Sequence, residues 1–229
     1  MTAIWAHRGA SVARRENTIE AFAEARAQGA AGVELDVRRT ADRAMAIHHD
    51  AALADGRLLV ELPAAELPDH VPLLDAALDA CHGMVVNIEI KNVEVDPDFD
   101  ADQFLAQAVV DLVHERQATG DVLVSCFGLA AIDRVRTLDP AIPTGYLASA
   151  RWDQMGALQR AIDGGHSAFH PYDLVVNAEL VAAAHDAGIA VNVWTVDDPD
   201  RIRWLASDCG VDAIITNVPD IALAALAKG

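Results

Sequence analysis

Eight times along this chain a short apolar run gives way to a segment of helical periodicity, and that alternation restricts the fold more than any other feature of the 229 residues. The strand-like runs are Ile4–Arg8, Gly32–Arg38, Met84–Lys91, Val122–Phe127, Thr144–Ala148, His166–His170, Ala190–Val196 and Asp212–Thr216. The helical segments are Thr18–Gln28, Leu73–Cys81, Phe104–Gln117, Leu129–Thr137, Trp152–Ile162, Ala178–Ala187, Asp200–Ala206 and Ile221–Ala227. Strands separated by helices pair in parallel, because each must cross back over the sheet before the next begins. Roughly 29 residues per unit is close to what a (β/α)8 barrel uses. The predicted fold is therefore α/β, a (β/α)8 barrel, in one domain over residues 1–229, with no low-complexity linker to divide it. Residues 39–72 break the rhythm: Ala44–His48 reads as an extra strand and Leu53–His70 has no clear period, which predicts a small insertion after the second strand. Glycines 29, 120, 164, 188 and 210 follow helical stretches, where a left-handed residue closes a helix. An open doubly wound sheet is the alternative, but neither a G-x-G-x-x-G turn nor a Walker sequence is present.

Charge narrows the possible partners. Lys and Arg number 17 against 35 Asp and Glu, a formal net charge of −18, which opposes a nucleic-acid backbone or an anionic membrane surface. A phosphate-bearing ligand would have to be small and held by a local positive cluster or a metal ion. Three cysteines without metal-ligand spacing suit buried thiols in a reducing compartment. The first residues show no basic region followed by an apolar stretch, so the expected location is the cytoplasm.

Polar residues inside apolar strands mark the chemistry. Glu34 and Asp36 lie two apart in a strand, so they share one face while Val33, Leu35 and Val37 take the other. Unpaired carboxylates inside a sheet are costly, which favours a metal over the alternative of a solvated edge strand. Asn87, Glu89 and Lys91 repeat the pattern, with Ile88 and Ile90 opposite. Lys91 is one of two lysines, the other being Lys228; it reads either as a phosphate-binding charge or as half of an interior pair with Glu89. His7-Arg8 and His48-His49-Asp50 close strands, where barrel active sites assemble, and only one of His48 and His49 can enter such a site.

These residues carry a resemblance. In order, the chain contains Ala6-His7-Arg8-Gly9, Glu16-Asn17-Thr18, Glu34-Leu35-Asp36-Val37, His49-Asp50, Ile88-Glu89-Ile90-Lys91, Ser125-Cys126-Phe127, Trp194-Thr195-Val196 and Ile215-Thr216-Asn217-Val218-Pro219. Together they resemble the glycerophosphodiester phosphodiesterases from Trp5 to Pro219. The resemblance implies a TIM barrel that hydrolyses small glycerophosphodiesters to an alcohol and glycerol 3-phosphate. It implies one divalent cation, Mg2+ or Ca2+, on Glu34, Asp36 and Glu89, and His7 with His49 as the acid–base pair. It further implies that Arg8 and Lys91 contact phosphate, that Trp194 packs on the glycerol end, and that Glu16 and Asn17 support the site. Two other readings stay open: phospholipase D-like cleavage of lysolipids, and a barrel that binds phosphate esters without turnover. The oligomeric state and the nucleophile, water or a substrate hydroxyl, are left undetermined.

Overall fold

The computed structural model describes residues 1–227; Lys228 and Gly229 lie outside the described residues. Nine strands and eight α-helices follow in order: β1 Ala3–His7, α1 Ile19–Ala27, β2 Gly32–Arg39, β3 Met45–Ile47, α2 Leu74–Ala80, β4 Val85–Ile90, α3 Phe104–Glu115, β5 Val122–Cys126 and α4 Leu129–Leu138. They continue as β6 Thr144–Ala148, α5 Gln154–Asp163, β7 Ala168–Pro171, α6 Ala178–Asp186, β8 Ala190–Val193, α7 Pro199–Trp204, β9 Ala213–Thr216 and α8 Pro219–Leu226. All strands except β3 are parallel, and β1 pairs with β2 on one side and β9 on the other, which closes an eight-stranded barrel. The (β/α)8 TIM barrel anticipated from the alternation is what forms.

Period-two alternation then decides what faces the axis. Ile4, Ala6, Val33, Leu35, Val37 and Ile88 point outward into the main core beneath the helices. The lower interior is apolar, filled by Trp5, Leu123, Ala168, Ala213 and Ile215. Trp5 fits because Gly32 faces it: a Cβ there would sit 2.6 Å from the indole. Above this plug the interior turns polar, with Glu34, Asp36, Asn87, Glu89, Ser125, His170 and Asn192 all buried. The barrel thus has a hydrocarbon floor and a hydrogen-bonding upper layer, open at the C-terminal ends of its strands.

The insertion departs from the strand-end picture. β3 runs antiparallel to β2, pairing Val37 with Ile47 and Arg39 with Met45. The chain therefore turns back down after β2, and His48 N donates to Asp36 O at 3.0 Å. His49 reaches the site by descending to it, whereas His7 reaches it at the end of a parallel strand. Two 3-10 turns, Leu59–Glu61 and Ala64–Glu66, occupy the stretch that lacked a period, packed on a separate apolar cluster that includes Ala46, Leu53 and Leu59.

Other differences are local. The strand expected at His166–His170 begins at Ala168, because His166 turns aside to bond Thr144 Oγ1 at 2.9 Å. Gln117 and Gly165, not Gly120 and Gly164, take the left-handed backbone after their helices. Cys81, Cys126 and Cys209 are free and buried, and burial pushes the Cys81 thiol up to about 12. No helix among the described residues is long and apolar enough to cross a membrane.

Candidate active site

Strand register assembles the acidic cluster. β1 sets His7 beside Glu34, and β2 on β4 sets Asp36 beside Glu89. One oxygen from each of Glu34, Asp36 and Glu89 lies within 4.8 Å of the others, and all three side chains are buried. Burial and the charges of Asp36 and Glu89 raise the Glu34 carboxyl well above the usual range. Burial raises Glu89 as well, against the opposing pull of Lys91. Burial would raise Asp36 too, but Lys91 and Arg8 outweigh it and hold Asp36 down at about 2. Glu34 Oε1 and Asp36 Oδ1 are buried with no hydrogen-bond partner. Three converging carboxylates, two of which carry an oxygen without a hydrogen-bond partner, can hold a divalent cation, which would relieve their mutual repulsion.

Two cations flank the carboxylates. Arg8 has a left-handed backbone, φ 57°, that turns its N–H onto Glu34 O at 2.9 Å and Glu34 Oε2 at 3.0 Å. Its guanidinium donates to Glu16 at 3.1 and 3.2 Å, with Nε 3.2 Å from Asp36 Oδ2. Gly9 follows at φ 81°, and a Cβ there would lie 2.6 Å from the Ala21 carbonyl carbon, so both conformation and space require glycine. The three residues Glu16-Asn17-Thr18 act separately. Glu16 holds Arg8, Asn17 Nδ2 donates to Asp36 Oδ2 at 2.7 Å, and Thr18 caps α1 through Ala21 N. Lys91 Nζ lies 2.6 Å from Glu89 Oε1 and 3.5 Å from Asp36 Oδ1. Burial opposes its charge, but Glu89 and Asp36 dominate and raise the ammonium pKa. The interior Glu89–Lys91 pair, one of the two readings of that strand, is thus present, and Lys91 also lines the mouth cavity.

The histidines approach from two sides. His7 Nδ1 lies 2.7 Å from Asn217 Oδ1, and Nε2 lies 3.9 Å from Glu34 Oε2. Burial, helped by Arg8, lowers its pKa below 6.5. His49 Nδ1 bonds Asp50 Oδ1 at 2.7 Å, and Arg38 Nε donates to the His49 carbonyl at 2.7 Å. A cavity of about 530 Å³ opens beside His49, Glu89 and Lys91, bounded by Phe127, Arg38 and Asp96; His48 is not among its lining residues. Trp194 sits just beyond β8, donates Nε1–H to His170 O at 2.9 Å, and meets Phe127 and Tyr172 edge-on at 5.5 and 5.3 Å. The arrangement sets a carboxylate cluster that could hold a cation close to His7, Arg8 and Lys91, with His49 on the wall of the adjoining cavity.

Four residues without a role in the resemblance join the site. Arg38 is buried and held by Asp98 at 2.7 and 2.8 Å and Asp96 at 3.0 Å. Its place two residues beyond Asp36, on the same strand face, was the available signal. Asp50 beside His49 and Phe127 at the cavity wall belong to motifs of the resemblance but carried no role there. Asn217 belongs to another of those motifs, but it is 210 residues from His7, and nothing local marks the two as partners.

Comparison with known proteins identifies the family. The sequence profile of the Glycerophosphoryl diester phosphodiesterase family matches residues 7–221. The glycerophosphodiester phosphodiesterase of Caldanaerobacter subterraneus subsp. tengcongensis is 26% identical over 252 residues, spanning 100% of this chain and 99% of that protein. A glycerophosphodiester phosphodiesterase of Bacillus altitudinis is 29% identical over 247 residues, spanning 97% of each. Among solved structures, an Oleispira antarctica phosphodiesterase in complex with the product sn-glycerol-3-phosphate superposes with a TM-score of 0.88 at 25% identity, over 99% of this chain and 97% of that one. The family match spans nearly the whole barrel, and the chain belongs to the glycerophosphoryl diester phosphodiesterase family.

Proposed function

We propose that this protein hydrolyses glycerophosphodiesters to an alcohol and glycerol 3-phosphate, using His7 and His49 for proton transfer and one divalent cation, Mg2+ or Ca2+, on Glu34, Asp36 and Glu89. The observation that carries the reading is the convergence of three buried carboxylates, two of their oxygens without a hydrogen-bond partner, beside two histidines and two cations. A bound cation supplies Lewis-acid polarisation of a phosphoryl oxygen. Arg8 and Lys91 add positive charge where the equatorial oxygens gain negative charge in the transition state. Nearly buried and neutral near pH 7, His7 is suited to accept the nucleophile's proton. His49 faces the cavity, where the leaving alcohol would take a proton from it. Trp194 and Phe127 give the glycerol backbone an apolar wall.

The test is release of glycerol 3-phosphate from glycerophosphocholine with Mg2+, Ca2+ or Mn2+, and its loss on chelation. His49→Ala and Glu89→Gln should each lower turnover by at least about 100-fold, and Glu89→Gln should also weaken cation affinity. Absence of cleavage with every cation would overturn the reading. One feature favours lysolipids as further substrates: Val95, Phe99 and Trp152 line a second cavity of about 360 Å³ on the far side of Phe127. Lysophosphatidylcholine in the same assay decides whether that apolar surface receives an acyl chain.

A further inference from the structure

The segment Thr216-Asn217 and the neighbouring Asp197 have no part in the reaction as described, yet they stand directly behind His7. Asp197 accepts three hydrogen bonds: from Thr216 Oγ1 at 2.9 Å, from Asn217 N at 2.8 Å and from Asn217 Nδ2 at 2.7 Å. A carboxylate has no proton to donate, so the end of the Asn217 amide that faces it must be the NH2 group. The carbonyl Oδ1 is thereby turned the other way, where Ser11 Oγ donates to it at 2.9 Å. The same oxygen lies 2.7 Å from His7 Nδ1. An amide oxygen only accepts, so Nδ1 must carry the ring hydrogen, and in the neutral ring Nε2 is then the bare nitrogen. Nε2 is the atom aimed at the acidic cluster, 3.9 Å from Glu34 Oε2.

We propose that Asp197 and Asn217 are positioning residues that lock His7 in the Nδ1–H tautomer and keep its Nε2 lone pair facing the acidic cluster. The kinetic consequence rests on the proton-accepting role given to His7 above; the tautomer does not. The direction of the lock comes from Asp197, the one member of the chain that cannot reverse its hydrogen-bonding sense. Without that anchor the Asn217 amide can rotate and present NH2 to the imidazole, which would favour the Nε2–H tautomer and hide the lone pair from the site. Ser11 supplies a weaker constraint, since a hydroxyl can donate or accept.

The experiment is nitrogen NMR of 15N-histidine-labelled protein near neutral pH, with the His7 ring signals assigned by difference against His7→Gln, alongside kinetics on glycerophosphocholine with Mg2+. In the wild type, Nδ1 of His7 should be protonated and Nε2 bare. Asn217→Ala should give mixed tautomers, lower kcat roughly 10- to 100-fold and leave KM unchanged, as expected when an interaction acts only on the transition state. Asp197→Ala should shift both readouts the same way by a smaller amount, and it carries the test if Asn217→Ala does not fold. A folded variant that keeps the Nδ1–H tautomer, or a wild-type ring protonated at Nε2, overturns the proposal. If the wild type cleaves no phosphodiester, the proposed reaction fails, while the ring signals still decide the lock.

Discussion

At the scale of single residues, the interior above the apolar floor is governed by what burial does to charge. His170 is fully buried, packs where a Cβ on Gly145 would be 2.5 Å from its Nε2, and pairs with Asn192 Nδ2 at 3.0 Å. Burial drives its pKa from 6.5 to about 3. Between those values the unfolded chain binds a proton that the folded one refuses, so stability falls as pH drops, by at most about 1.4 kcal/mol per pH unit from this residue. His170→Gln should therefore lose less stability than the wild type between about pH 7 and pH 4 in urea unfolding; parallel losses would show that His170 is not the group responsible. The carboxylates Glu34, Asp36 and Glu89 were legible in sequence, since alternation alone puts such residues on one strand face. Their unequal pKa values were not, because these depend on which of them Arg8 and Lys91 approach.

Among elements, the hairpin of β2 and β3 with the loop after β4 forms one unit around Arg38. That side chain joins the His49 carbonyl to Asp96 and Asp98, so the segment carrying His49 is tied to the wall of the cavity. Removing one partner of a buried ion pair leaves the other charge uncompensated, which costs about 3–5 kcal/mol. Arg38→Met should destabilise the protein by that order in denaturant titrations and lower kcat as well, because His49 loses its anchor. The double substitution Arg38→Met with Asp98→Leu should regain stability without regaining activity. Equal stability of the single variant and the wild type would refute this role. The extra strand was visible in the sequence, but its direction was not. Antiparallel pairing, which brings His49 down to Asp36, depends on a turn whose geometry the apolar pattern of Ala44–His48 does not encode.

For the molecule as a whole, the proposed cation would compete with a proton for the barrel's mouth. Burial, then Asp36 and Glu89, raise the Glu34 pKa, so without a cation this carboxyl holds a proton well above pH 4.5, and the resulting stabilisation is lost as pH rises through the raised value. A cation requires the ionised form and must displace that proton when it binds. The rise in Tm on adding Mg2+ should thus be larger at the higher of two pH values above 4.5, approaching the equivalent of about 2.7 kcal/mol at a hundredfold excess over Kd. Calorimetric melts with and without EDTA at both pH values measure this; Glu34→Gln should flatten the difference, and a larger rise at the lower pH would contradict the linkage. The sequence by itself determined the eightfold alternation, the polar face of each inner strand and the motifs that named the acidic cluster and both histidines, because period and residue type are local properties. Only the tertiary structure decided that β1 closes onto β9, which brings Asn217 and Asp197 behind His7, and that Arg38 is gripped by a loop 58 and 60 residues away. Those partners meet through barrel closure and loop packing, and contacts between distant segments leave no periodic trace in the chain.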